Sequence, residues 1–360
     1  MPSKGRLGEL QSQLEQHRLD AFLVTHLPNI RYLCGFTGSA GVLTVTLRDA
    51  IFFTDGRYAD QASAEVRGPK ITIRKGKSAM ASAIEWLARR HSLRRVGIEP
   101  SRMNVAERDF IARALGRGRK TVNAPLMVEQ MRTVKSADEI ARIRAACELG
   151  VHLFEKLVQK IRPGVPEREI ASQLEFAARR AGVEEMAFPT IVAGGKRSAL
   201  PHGRASQELI PSKGFVVCDF GVILSGYCSD MTRTLHVGRP TAESRRVYES
   251  VREAQQAGLE AVRPGKTVGE VDSAARKVLY NKGLGCFFTH STGHGLGLEI
   301  HEGPRVAAGQ QEALRPGMVI TVEPGVYLPG KWGVRIEDTV AVTETGCEIL
   351  TKCPKDLLTV

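Results

Sequence analysis

The stretch Phe215-Val216-Val217-Cys218-Asp219, read together with its echo Met318-Val319-Ile320-Thr321-Val322-Glu323, decides the fold. Each is an apolar run of strand length that ends on a carboxylate. Glycines follow at Gly221 and Gly226 in the first copy and at Gly325 and Gly330 in the second, marking a hairpin after each acid. The returning strands bring a second acid, because Asp230-Met231-Thr232 matches Glu337-Asp338-Thr339. The echo extends upstream. Arg162-Pro163-Gly164 and Arg263-Pro264-Gly265 each follow a long helix, and Glu169 with Gly182 matches Glu270 with Gly283 at one constant offset. The region is therefore a duplicated helix–helix–hairpin unit.

Facing side chains on an antiparallel pair lie only about 4.5–5.5 Å apart at Cβ. One hairpin can thus hold two carboxylates together, and two related hairpins can bring four to one place. Asp219 and Glu323 end runs that read as buried, and each buried ion costs several kcal/mol, roughly, without a counter-charge. Acids held together repel and take up protons. A divalent cation removes both problems. Three histidines lie within the twelve residues from His290 to His301, in a glycine-rich run that includes His294, and His202 stands in Leu200-Pro201-His202-Gly203. Oxygen-rich sites with an imidazole suit manganese, cobalt, iron or zinc in paired arrangements. The glycine spacing after His290 is not that of a dinucleotide-binding turn.

Working outward, the segment before this repeat alternates helices and strands. Residues 8–19 read as an amphipathic helix and Ala21 to Thr25 as a strand. Further strands are expected at 41–47, 50–54 and 96–98, with helices opening at Asp55 and spanning 78–91 and 104–115. That pattern gives an α/β domain with a mixed sheet over 1–127, followed by an α+β domain over 128–360 whose first long helix opens on the capping box Ser136-Ala137-Asp138-Glu139.

Composition narrows the function classes. The net charge of +12 invites a nucleic-acid reading, but the basic clusters at 89–95 and 113–120 have no interleaved aromatic residues and no nucleic-acid motif, so a solvated basic face is the expectation. Seven scattered cysteines, with no Cys-x-x-Cys pair, support neither a disulfide framework nor a zinc finger. No apolar run approaches membrane-spanning length and the N-terminus lacks a signal-peptide core, so a cytoplasmic enzyme without membrane partners is expected.

The blocks Ile191 to Gly203, Asp219-Phe220-Gly221, Cys228 to Thr234, His290 to Glu302, Val322-Glu323-Pro324-Gly325 and Gly333 to Asp338 resemble the pita-bread metallopeptidases, in their Xaa-Pro aminopeptidase and prolidase branch. The segments Asn29 to Leu33 and Gly35 to Gly38 resemble that branch's N-terminal domain. Methionine aminopeptidases of this fold usually lack such a domain, and creatinases lack the ligand set. The resemblance implies Asp219 on one metal, His294 with Glu323 on the other, and Asp230 and Glu337 bridging them. It implies that His202 and His301 contact the scissile bond, that His290 lines a proline pocket, and that Arg335 stands behind the ligands, on the same strand face as Glu337. The expected metals are two divalent cations, manganese first, with cobalt or zinc as alternatives. A hydroxide bridging them would attack the amide before proline, Glu323 would carry the proton, and a homodimer is expected. The main expectation is an Xaa-Pro aminopeptidase acting on peptides with proline second. The alternatives are a prolidase confined to dipeptides and, remotely, a non-catalytic module binding nucleic acid or protein.

Overall fold

The computed structural model describes residues 2–74 and 76–360. They form two units divided between Arg132 and Thr133. The first carries a six-stranded sheet in the order Lys70–Ile73, Ala50–Thr54, Val42–Thr46, Ala21–Val24, Arg95–Ile98, Lys120–Asn123. Two pairings are antiparallel and three parallel, so the sheet is mixed. Leu23, Phe53, Val96, Ile84 and Leu87 pack one face of it against the helix Ala79–Ala88. The first helix spans Pro2–Gln16 rather than 8–19, because the chain turns out at Arg18 with φ 54°. A helix at Leu27–Cys34 went unread in the sequence. Pro28 lies in its first turn, where a missing N–H costs nothing, and Gly35 closes it at φ 87°.

The second unit is the duplicated one. Its first half has the helices Ala137–Val158 and Glu167–Arg180, and its second half the helices Ala242–Ala261 and Val268–Asn281. Ser136 and Glu139 form the capping box that starts the long helix. Each half then lays down an outgoing strand, a small inner hairpin and a return strand. In the first half these are Gly214–Phe220, Val222–Leu224 with Tyr227–Cys228, and Met231–Val237. In the second they are Val319–Val322, Gly325–Leu328 with Trp332–Arg335, and Asp338–Val342. This is the pita-bread arrangement.

Asp230 and Glu337 each stand just before the return strand of their half. The outgoing acids differ by two residues in register. Thr232 pairs with Asp219, whereas its counterpart Thr339 pairs with Thr321, and Glu323 lies two residues beyond. A shift of two keeps the side chain on the same face. Arg335 and Glu337, expected on one continuous strand, are separated by a break. The backbone N–H of Ile336 bonds Pro324 O at 3.4 Å and that of Glu337 bonds Thr232 O at 3.1 Å, so the chain leaves one sheet to be gripped by the other half. Thr339 Oγ1 donating to Asp230 O at 2.8 Å ties the halves a second time.

No helix among the described residues is long and apolar enough to cross a membrane. Five of the seven cysteines are buried as small apolar residues would be, while Cys286 is exposed and Cys347 half-buried.

Gly221 sits between the two acids of the first half, and a Cβ there would drive into Ser229 O. Gly221→Ala should cost about 1–3 kcal/mol by overpacking. Thermal unfolding of the two proteins checks this, and an unchanged midpoint would contradict the packing described.

Candidate metal centre and substrate cleft

The return strands of the two halves and the glycine-rich run around His294 enclose a cavity of ≈ 600 Å³. All nine residues singled out in the sequence line it: His202, Asp219, Asp230, His290, His294, His301, Glu323, Arg335 and Glu337. The acids and His294 form its floor. His294 Nε2 lies 3.5 Å from Asp230 Oδ2 and 3.4 Å from Glu323 Oε1. Ligand atoms of Asp230, His294 and Glu337 fall within 4.8 Å of one another, close enough to hold one ion.

The surroundings of these side chains match what a cation requires. Asp219 Oδ1, Asp230 Oδ1 and Glu337 Oε1 are buried and have no hydrogen-bond partner among the described residues. Buried carboxylate oxygens left in that condition call for a positive ligand. His294 Nδ1 lies 3.0 Å from Gly295 O, which makes Nδ1–H the donor and leaves the Nε2 lone pair facing the acids. Burial lowers the His294 pKa and so favours that neutral form.

A supporting layer orients the acids. Arg335 Nη2 donates to Asp219 Oδ2 at 2.5 Å and Nε donates to Thr232 Oγ1 at 3.1 Å. The Thr232 hydroxyl in turn donates to Glu337 Oε2 at 2.7 Å. Thr321, in the register position that Asp219 holds in the other half, donates to Glu323 Oε1 at 3.2 Å and accepts from the His294 N–H at 3.1 Å. Arg335 Nη1 also donates to Tyr327 OH at 2.6 Å. That phenol lies 3.0 Å from His290 Nε2, while His290 Nδ1 lies 2.8 Å from Ser291 O. The network makes Nδ1 the donor and lets Nε2 accept from the phenol. Burial, aided by the charge of Arg335, pulls the His290 pKa down to about 4, so its ring is neutral near pH 7.

His202 and His301 are exposed where the cavity opens. The His301 ring stands edge-on to His294 with centroids 4.4 Å apart. Phe188, Arg204 and Arg305 complete the walls and were not picked out from the sequence. Arg305 pairs directly with His294 across two short strands, a relation visible only once the strands are paired. Glu302, also at the wall, is held 3.4 Å from the buried Lys135 ammonium.

Residues 141–344 match metallopeptidase family M24, and residues 6–134 match the creatinase/prolidase N-terminal domain. An Xaa-Pro dipeptidase from Bacillus anthracis is 38% identical, with a TM-score of 0.96 over 99% of this chain and 100% of that one. An Xaa-Pro dipeptidase from Pyrococcus furiosus is 36% identical over 99% of this chain and 100% of its own. An X-Pro aminopeptidase from Thermotoga maritima is 38% identical, with a TM-score of 0.88 over 97% of this chain and 100% of that one.

Burial raises the Glu323 carboxyl from 4.5 to about 8 in the metal-free chain. Asp230 and Glu337 are also raised well above the carboxylate range, first by burial and then by their acidic neighbours. A carboxyl whose folded pKa exceeds its unfolded one contributes stability at low pH, and that stability is lost as pH rises through the folded value. The metal-free protein should therefore lose stability between about pH 4.5 and 8, and Glu323→Gln should lose less. Melting curves across that range test this. A wild-type midpoint that climbs in parallel with the variant would contradict it.

Proposed function

This chain belongs to metallopeptidase family M24, and from that membership we propose that it is an Xaa-Pro dipeptidase, cleaving the bond before the proline of a dipeptide. The carrying observation is the end-to-end likeness to Xaa-Pro dipeptidases from two organisms. It favours the dipeptidase over the aminopeptidase that the sequence reading put first. The Thermotoga maritima likeness keeps the aminopeptidase as the second reading.

In this proposal Asp219, Asp230, His294, Glu323 and Glu337 hold two divalent cations, manganese first, with cobalt or zinc as alternatives. Bound there, such ions supply Lewis-acid polarisation and a water acidified toward neutrality. Glu323, whose Oε1 lies 3.4 Å from His294 Nε2 on the cavity lining, is the residue assigned to take a proton at one oxygen and pass it to the departing proline nitrogen. His301 and His202, at the cavity opening, donate hydrogen bonds to the carbonyl oxygen as negative charge gathers on it. The neutral His290 ring, edge-on to Phe288 with centroids 5.1 Å apart, offers an uncharged wall for the proline ring. Proline has no N–H to give a cleft that reads backbone donors, so recognition falls to such a wall.

A dipeptide carries its free carboxylate one residue from the scissile bond, and Arg204 and Arg305 line the same cleft. Arg305 is the better placed, directly opposite His294 in the strand pairing. A guanidinium there binds the carboxylate of a dipeptide and finds no such partner at the same position in a longer peptide. The cavity volume of ≈ 600 Å³ lies in the usual range for small ligands.

Gly-Pro should be cleaved about 10–100-fold more efficiently than Gly-Pro-Ala, as expected for one charged hydrogen-bonded contact. Arg305→Ala should erase most of that preference. Faster cleavage of the tripeptide by the wild type would instead support the aminopeptidase. Asp230→Ala should lose bound metal and turnover together, whereas His301→Ala should keep metal and lose roughly 100-fold or more in rate. Metal and rate falling together in His301→Ala would remove it from the substrate contacts.

A further inference from the structure

Two buried carboxylates outside the cavity are built into matching constellations, one in each half of the duplicated unit. Glu167, at the start of the helix Glu167–Arg180, is 1% exposed. It accepts from both the N–H and the hydroxyl of Ser206, at 3.1 and 2.8 Å, and from Arg197 Nε at 3.0 Å. Arg197 then donates through Nη2 to Arg204 O at 2.7 Å. The Gly194 N–H adds a further bond to Glu167 Oε1 at 2.8 Å. These contacts bracket the segment that carries His202 and Arg204.

Asp272, on the helix Val268–Asn281, is 0% exposed. It accepts from both the N–H and the hydroxyl of Thr292, at 3.2 and 2.8 Å, and from Arg276 Nε and Nη2 at 2.9 Å each. Arg276 then donates to Phe288 O at 3.1 Å and to His290 O at 3.0 Å. Thr292 O accepts the Glu323 N–H at 2.8 Å, which extends this constellation to the cavity floor.

The parts correspond: a carboxylate on the second helix of the half, a serine or threonine giving it both N–H and O–H, and an arginine that passes from the carboxylate to a carbonyl of a histidine-bearing loop. Glu167 and Val268 hold the same place as first residues of their helices, and Asp272 lies one turn after Val268 on the same side of its helix. Stability alone does not call for this, since replacing buried ion pairs by well-packed apolar side chains is often neutral or favourable. Their common feature is what they hold in place.

We infer that Glu167 and Asp272 are a pair of positioning residues, one from each half, that fix the loops bearing His202 and His290 against the cleft. Neither is among the residues that line the cavity. Glu167 acts through His202 and thereby on the rate of bond cleavage, and Asp272 acts through His290 and thereby on the fit of the proline ring. Both consequences rest on the proposed peptidase reading. The order imposed on the two loops does not.

The test uses the full-length chain. In metal-free protein, amide hydrogen exchange should quicken over residues 199–206 in Glu167→Gln and over 288–292 in Asp272→Asn, with the rest of the unit unchanged. In the manganese-loaded enzyme, Glu167→Gln should lower kcat by about 10–100-fold at nearly constant KM, the size expected for ångström-scale misplacement. Asp272→Asn should act more on KM for Xaa-Pro substrates. The double variant Glu167→Gln/His202→Ala should be no slower than His202→Ala alone, because residues acting as one unit do not add. Multiplying effects, or exchange quickened throughout the unit, would overturn the assignment. Should Glu167→Gln fail to fold, Ser206→Ala and Thr292→Val each remove one donor, and the same confined exchange is required of them. If His202→Ala and His290→Ala leave turnover intact, the peptidase roles of those histidines fail, and the exchange pattern still decides for or against the latches.

Discussion

Four carboxylates, Asp219, Asp230, Glu323 and Glu337, converge on one cavity floor, and among the described residues the Arg335 guanidinium is paired to one of them. With all four ionised, these acids and the guanidinium paired to them sum to a formal charge of −3, held at buried positions. Burial and mutual repulsion raise the pKa values of Asp230 and Glu337, and burial above all raises that of Glu323. The chain on its own meets this cost by holding protons. Two divalent cations would meet it by charge, and the three unpartnered carboxylate oxygens are where that charge is missing.

The duplicated architecture follows from this constraint. One antiparallel pair brings two acids together, and the second pair must then be brought against the first. The break after Arg335 does this, because the backbone leaves its own strand partner and bonds to Thr232 in the other half. Arg233 spans the same seam, bonding Glu337 O and, through Nη2, Asp338 Oδ1 at 2.8 Å. Threonine hydroxyls at 232 and 321 then aim individual carboxylates. Packing, seam and site are thus one set of contacts, so damage to the seam should reach the cleft.

The sequence was most legible where it was duplicated. Repetition of the apolar run, acid, hairpin and second acid made the pairing of carboxylates readable, and three histidines in a glycine-rich run marked the other wall. Three kinds of feature escaped. The helix Leu27–Cys34 hid behind Pro28 and Asn29, residues that read locally as a turn. The two-residue offset between Asp219 and Glu323 depends on strand register, which composition does not carry. Arg305 and the hydroxyls of Thr232, Thr292 and Thr321 gain meaning only through partners far away in the chain, as in the 105 residues between Thr232 and Glu337. The choice between dipeptide and longer peptide was unreadable for the same reason, since it lies in cleft walls rather than in the ligand motifs.

Calorimetric titration of the metal-free chain with Mn2+, repeated in buffers of different ionisation enthalpy, addresses the buried charge most directly. Two ions bound per chain, with net proton release to the buffer near pH 7, is the result this account requires, since the cations displace protons from acids held above their ordinary range. Saturation with no proton exchange, or no saturable binding at all, would mean that the acids are not the charge-starved cluster described.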